Sequence, residues 1–419
     1  MTARRQWVLL ALLVVSIGIN YIDRSNLSVA ATDLSRELSL GPGDLGRLLS
    51  AFFWSYAVFL LGAAWLVGRC NVYLVYGLAF VVWSAATALM GFAHSLSGLF
   101  ALRLVLGMGE SMAYPAYSRM IACDFPARHR GLANSAIDAG AKAGPALGTL
   151  VGGLIVARLG WRYLFYFLGF GAMLWLAPWF AMIPRGQRAT EAATLEPAGP
   201  SFWEIAKKRD FWGTVVALFC GNYAWYFILT WLPAYLETER HFSKTMMAVY
   251  GSIPYWGIAI ASITSGWFSD RLIERGGSAV RVRKTLAASG LLLATLVLPA
   301  NLLTNQVAAM ALMTAGCLAY GLFSSNCWAI TQTLGGPSAA GKWTGMQNCL
   351  GNLAGIAAPW LTGLIVEKTG QFFLAFVAVC VCLVIGACSY LFVVGNAAPI
   401  EWGAEARRNR GLLYSGGNH

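Results

Sequence analysis

Apolar residues run along this chain in twelve long blocks, roughly 7–31, 44–67, 73–92, 98–121, 131–157, 162–183, 211–236, 245–269, 285–303, 306–333, 344–366 and 371–394, with short polar stretches between them. Most are long enough for a helix to cross a hydrocarbon core, which takes about 20 residues. They are too long for transmembrane β-strands and lack strict alternation. The pattern predicts an all-α polytopic membrane protein with twelve transmembrane helices. One stretch breaks the rhythm: Pro184, Gly186, Pro197, Gly199 and Pro200, followed by Lys207-Lys208-Arg209. Six blocks precede it and six follow. The expected layout is a six-helix half over residues 1–183, a cytoplasmic linker over 184–210, a second half over 211–394 and a cytoplasmic tail over 395–419.

The polar exceptions inside the blocks carry the functional information. Block one contains Asn20-Tyr21-Ile22-Asp23-Arg24-Ser25-Asn26, and a charge near mid-bilayer costs at least ~2.5–3.5 kcal/mol on insertion scales. Such residues mark a substrate or ion pathway. Three acids, Asp23, Glu110 and Asp138, and three bases, Arg24, Arg103 and Lys142, lie inside blocks one, four and five. Arg103 and Glu110 stand two helical turns apart on nearly one face, so both can look into one cavity. Asp138 and Lys142 are spaced for a direct pair, which is either a structural ion pair or a lysine held for an anionic substrate. With every group ionised the set is neutral. Protonating Asp23 and Glu110 leaves two net positive charges, an attractive site for an organic anion, and burial and nearby arginine pull carboxylate protonation in opposite directions. Anion and proton moving together is the economical mechanism, with the proton as coupling ion and no other cofactor. Whether the substrate is a mono- or a dicarboxylate turns on Lys142. The second half offers amides instead, Gln347, Asn348 and Asn352 among them, suited to substrate hydroxyls.

Composition agrees: 58% of residues are hydrophobic and 11% charged, far from a soluble domain. The formal charge of +12 does not imply nucleic acid, because 19 Lys and Arg fall on one set of loops and tails and 7 on the other connections. That asymmetry places both termini in the cytoplasm. Block one is too long and too charged for a cleaved signal peptide. The nine cysteines show no paired spacing in outer loops, and no disulfide or metal site is expected. No phosphate-binding Gly-Lys-Ser/Thr loop supports ATP-driven pumping.

Weak repetition links the halves. Gly62-Ala63-Ala64-Trp65-Leu66-Val67-Gly68-Arg69 follows block two and Gly266-Trp267-Phe268-Ser269-Asp270-Arg271 closes block eight, as in secondary transporters built from repeats. The second of these, together with Asn20-Tyr21-Ile22-Asp23-Arg24-Ser25-Asn26-Leu27-Ser28-Val29-Ala30, Arg103-Leu104-Val105-Leu106-Gly107-Met108-Gly109-Glu110, Tyr114-Pro115-Ala116, Phe125-Pro126-Ala127-Arg128-His129-Arg130-Gly131, Thr230-Trp231-Leu232-Pro233-Ala234-Tyr235-Leu236 and Gly345-Met346-Gln347-Asn348-Cys349-Leu350-Gly351-Asn352, resembles the anion:cation symporter branch of the major facilitator superfamily over essentially the whole chain. The likeness is greatest to bacterial sugar-acid transporters of the galactonate, hexuronate and glucarate type. The resemblance implies the major facilitator fold and proton-coupled uptake of a sugar acid across the bacterial cytoplasmic (inner) membrane by a monomer. It gives proton coupling and substrate-charge binding to Asp23, Arg24 and Glu110, with Arg103 alongside, and substrate contacts to Tyr21, Tyr56 and Asn352. Two departures stand out. The inner loop after helix two has Gly68-Arg69 where the family carries Asp-Arg, although the second-half gating pair Asp270-Arg271 is present. Helix five has Asp138 and Lys142 where small or amide residues are usual.

Rival functions have less support. A membrane sensor would usually carry a further cytoplasmic domain, and an intramembrane enzyme would want a nucleophile and base, whereas His94, His129, His241 and His419 fall in or near loops. Organic-phosphate exchange would prefer paired arginines without membrane acids. Uptake of an aromatic acid or a dicarboxylate, or organic-anion exchange, remains open beside sugar-acid symport.

Overall fold

A computed structural model describes residues 3–182, 200–395, 400 and 402. Most of the predicted linker and tail, with Arg185, Arg188, Arg407, Arg408 and Arg410, lies outside the described residues. Among the described residues twelve helices are long and apolar enough to span a membrane: α1 (Arg4–Glu37), α2 (Pro42–Arg69), α3 (Val72–Met90), α4 (Leu96–Asp124), α5 (Leu132–Leu159), α6 (Trp161–Met182), α7 (Arg209–Thr238), α8 (Lys244–Glu274), α9 (Ala279–Leu302), α10 (Gln306–Gly336), α11 (Ser338–Thr369) and α12 (Phe373–Val393). Helices outrun the apolar blocks at the cytoplasmic ends. α8 continues through Asp270 and Arg271 to Glu274, because a polar turn beyond the bilayer can stay helical.

Prolines shape several spans. The α4 helix stops at Glu110 and resumes at Ala113, just ahead of Pro115. Pro115 offers no N–H to the preceding turn, which opens the helix there. α6 breaks between Met173 and Leu176 ahead of Pro178, and α9 between Ala294 and Val297 ahead of Pro299. Glu110 therefore sits at the end of a rigid segment, beside an opened turn. α10 passes into α11 through Gly336, whose φ of 63° suits glycine.

α5 is bound to α1 by a stripe of glycines four residues apart. A Cβ added at Gly140 would meet Ile17 and Val14, at Gly144 Gly18 and Tyr21, and at Gly148 Ser25 and Ile22. Small residues at this spacing let two membrane helices approach backbone to backbone. The two helices that carry most of the unusual charges are thus locked together.

Among the described residues the halves meet at one end. Ser28 donates to the Thr230 carbonyl at 2.8 Å, and Thr32 to Glu237 at 2.5 Å. Lys244 pairs with Asp33. Gly46 of α2 lies so close to Gly363 of α11 that a Cβ at either would meet the other's Cα at 3.0 Å or less. These contacts lie at the ends of α1, α2, α7, α8 and α11 that the charge asymmetry places outside. At the opposite end the halves part, and a cavity of about 760 Å³ opens between them. This is an inward-open arrangement, closed to the exterior.

Candidate functional site

The inner end of the cavity is built around Arg24. Its Nε donates to Glu110 Oε2 at 2.9 Å, and the side chains are 2% and 0% exposed. The guanidinium lies over the rings of Tyr21, Phe52 and Tyr56 at 4.7, 4.9 and 4.8 Å. Aromatic faces stabilise a cation where water is excluded. Among the described residues, Nη2 of Arg24 and Oε1 of Glu110 have no hydrogen-bond partner. A buried donor is costly to leave unmade, and Arg24 lines the cavity, so the fork is set to take an acceptor from a ligand.

Asp23 and Arg103 lie behind this pair. Asp23 is fully buried, accepts from Asn26 at 3.3 Å, and has a second carboxylate oxygen without a partner. Arg103 is buried beside Phe52 and donates to the backbone carbonyl of Asp23 at 3.4 Å. Neither is among the cavity-lining residues, and Glu110 meets the cavity only through Arg24. The expectation that Arg103 and Glu110 look into the cavity together is corrected here. Helical spacing put them on one face of α4 as read, but that face packs towards α1 and α2.

Lys142 and Asp138 lie on the cavity wall of α5, with Asn134 and Ser135 a turn nearer the cytoplasm. They form a direct ion pair in which Lys142 is 12% and Asp138 59% exposed. Across the cavity stand Asn222, Trp225 and Tyr226 of α7, Tyr320 of α10, and Asn348 and Asn352 of α11. The Tyr226 hydroxyl donates to Asn352 Oδ1, and Asn352 Nδ2 donates to Asn348 at 2.8 Å. A chain of amides and phenols thus faces the arginine. Gln347 departs from expectation: it is buried between helices, accepting from Thr331 at 2.6 Å and donating to the Thr214 carbonyl at 3.2 Å. It braces the second half and does not line the cavity.

The family model described as "Major Facilitator Superfamily" matches residues 13–359. The chain belongs to the Major Facilitator Superfamily. Among similar superfamily members is a D-galactonate transporter of Escherichia coli O6:H1, 28% identical over 95% of this chain and 97% of that protein. A probable galactarate/D-glucarate transporter, GudP, of Escherichia coli K12 is 29% identical over 96% and 95%. A probable sulfoacetate transporter, SauU, of Cupriavidus necator is 29% identical over 92% and 93%. The fold resembles a bacterial homologue of the human lysosomal transporter Spinster, in an inward-facing and unoccupied crystal structure, with a TM-score of 0.81, 20% identity, and 94% and 98% of the two chains covered. The protein is a multi-pass transporter of the bacterial inner membrane and not an enzyme.

At the inner loops each arginine stacks on a tryptophan of its own helix, and the aspartate pairs with the following helix. Asp270 pairs with Arg283 at 3.1 Å, while its neighbour Arg271 stacks on Trp267 at 5.2 Å. Arg69 stacks on Trp65 at 4.8 Å, the same i, i+4 geometry in the first half. Where the first half lacks the aspartate, Arg119 donates to the Gly68 carbonyl at 3.1 Å and so holds the end of α2. Sequence reasoning passed over Tyr226, Phe52 and Tyr114, the last a cavity-lining residue whose hydroxyl meets that of Tyr21 at 3.1 Å. For Tyr226 a signal existed: Asn222 and Tyr226 are one turn apart with Trp225 between, a polar stripe on an apolar helix. Phe52 had none, since one more phenylalanine in a membrane helix is unremarked.

Proposed function

We propose that the protein is a proton-coupled symporter that takes up a small organic anion, a sugar acid of the hexonate, hexuronate or aldarate class. The observation that carries this reading is the buried Arg24–Glu110 pair at the end of the inward-open cavity, with Nη2 of the arginine unengaged. A proton on Glu110 frees Nε, and Nε with Nη2 forms the planar fork that a carboxylate accepts in two bonds. Loss of that proton returns Glu110 to Arg24 and displaces the substrate towards the cytoplasm. Binding of anion and proton is therefore mutually supportive, and Asp23 is a second buried carboxylate able to take part. The phenols and amides of Tyr21, Tyr56, Tyr226, Asn348 and Asn352 suit the hydroxyls of a sugar acid. The relatives' named substrates, galactonate, galactarate or glucarate, and sulfoacetate, are all small organic acids.

The test is uptake by proteoliposomes of labelled sugar acids, dicarboxylates and aromatic acids, with and without an inside-alkaline gradient. Sugar acids accumulate above the external concentration only when the gradient is present. Gradient-independent uptake, or accumulation of aromatic acids alone, contradicts the reading.

A further inference from the structure

We propose that the cavity selects an anion with an acidic group at each end, one held by Arg24 and the other by Lys142. The inference rests on the sugar-acid reading and narrows it to the dianions.

Among the described residues lining the cavity, the cations are Arg24 and Lys142 and the anions Asp138 and Asp270. Asp270 is engaged by Arg283. Each cation is thus matched with one carboxylate: Arg24 with Glu110, Lys142 with Asp138. Each pair can open to admit one acidic group and close again when it leaves.

The rise along the bundle between the backbone positions that carry the two cations follows from the α1–α5 interface. Gly140 abuts Val14 and Ile17, Gly144 abuts Gly18 and Tyr21, and Gly148 abuts Ile22 and Ser25. The helices run parallel with a constant offset, so Lys142 is level with the turn of Ile17 and Gly18. Arg24 stands six to seven residues further along, about 10 Å at 1.5 Å per residue. A six-carbon chain with a carboxylate at each end fits such a span, with the side chains closing the remainder. A monocarboxylate would engage one pole and leave the other closed on its own carboxylate. Lys142 is mostly covered whereas Asp138 is mostly exposed, so Asp138 can turn into the aqueous mouth at little cost while Lys142 meets the ligand.

The experiment compares uptake of galactarate and galactonate, which share a six-carbon skeleton and differ in one terminal carboxylate. The purified full chain in proteoliposomes is assayed with both at matched concentration. The wild-type protein prefers galactarate. Lys142→Gln lowers the galactarate-to-galactonate ratio about tenfold or more, the worth of one charge-assisted contact, and Lys142→Arg restores it. A ratio within one preparation is independent of the amount of folded protein. Asp138→Asn with Lys142→Gln, which leaves no unpaired carboxylate, gives the same fall if the single variant is poorly made. Preference for galactonate in the wild type, or an unchanged ratio in both variants, overturns the proposal while leaving sugar-acid transport standing. Transport of neither acid overturns this proposal, and the sugar-acid reading falls with it only if no hexonate, hexuronate or aldarate of the wider panel is taken up.

Discussion

Two ion pairs face one cavity and live in different surroundings. In Arg24–Glu110 both side chains are sealed, at 2% and 0% exposure; in Lys142–Asp138 the lysine is 12% and the aspartate 59% exposed. A buried charge that loses its partner is strongly penalised, whereas an exposed one is rescued by water. The sealed pair therefore cannot open without either a ligand or a proton to replace what is lost. In the second pair the aspartate is wet and can swing out into water, while the lysine stays mostly covered and turns to the ligand. On this account the first pair couples substrate to protons and the second only discriminates between substrates. Under this proposal one chain would separate energy coupling from selectivity by how much water reaches each carboxylate.

The largest expected effect comes from Arg24. Arg24→Ala loses substrate binding altogether, and it destabilises the protein by about 3–5 kcal/mol because Glu110 is left buried and alone. Adding Glu110→Gln recovers thermal stability in detergent but not binding, which separates the two losses. Arg24→Lys, charged but without the fork, loses most of the affinity. Normal affinity in Arg24→Ala would end the assignment.

A smaller effect is expected at the wet pair. Lys142→Ala reduces uptake of a dianion, and Asp138→Asn added to it improves folding slightly while uptake stays low. Full recovery of uptake in the double variant would make the pair purely structural. Smaller still is Asp270→Asn, which removes a partly exposed contact with Arg283 worth about 0–1 kcal/mol. Transport rates change by less than about threefold, and substrate preference, read from the galactarate-to-galactonate ratio, does not move.

Much of this architecture is legible in the sequence because lipid is an unforgiving solvent. The twelve spans follow from apolar length, and Arg24 and Glu110 stand out since charge in hydrocarbon needs a reason. What sequence cannot supply is which neighbour a helix face meets. Arg103 and Glu110 share a face as read, yet that face looks at α1. Gln347 resembles Asn348 and Asn352 in kind, but its position turns it into the interior between α7, α10 and α11. Asp270 has an adjacent arginine in sequence and is paired instead with Arg283, thirteen residues on, because α9 returns along α8. Phe52 acquires meaning only once α2 brings its ring over the Arg24 guanidinium.

The central claim is that the sealed carboxylate carries the coupling. Glu110→Gln, which mimics its protonated form, tests this most directly when substrate exchange and proton-driven accumulation are measured on the same proteoliposomes. The account predicts that the variant exchanges labelled for unlabelled substrate across the membrane but fails to concentrate it when an inside-alkaline gradient is imposed. Accumulation equal to that of the wild type under the same gradient would contradict it.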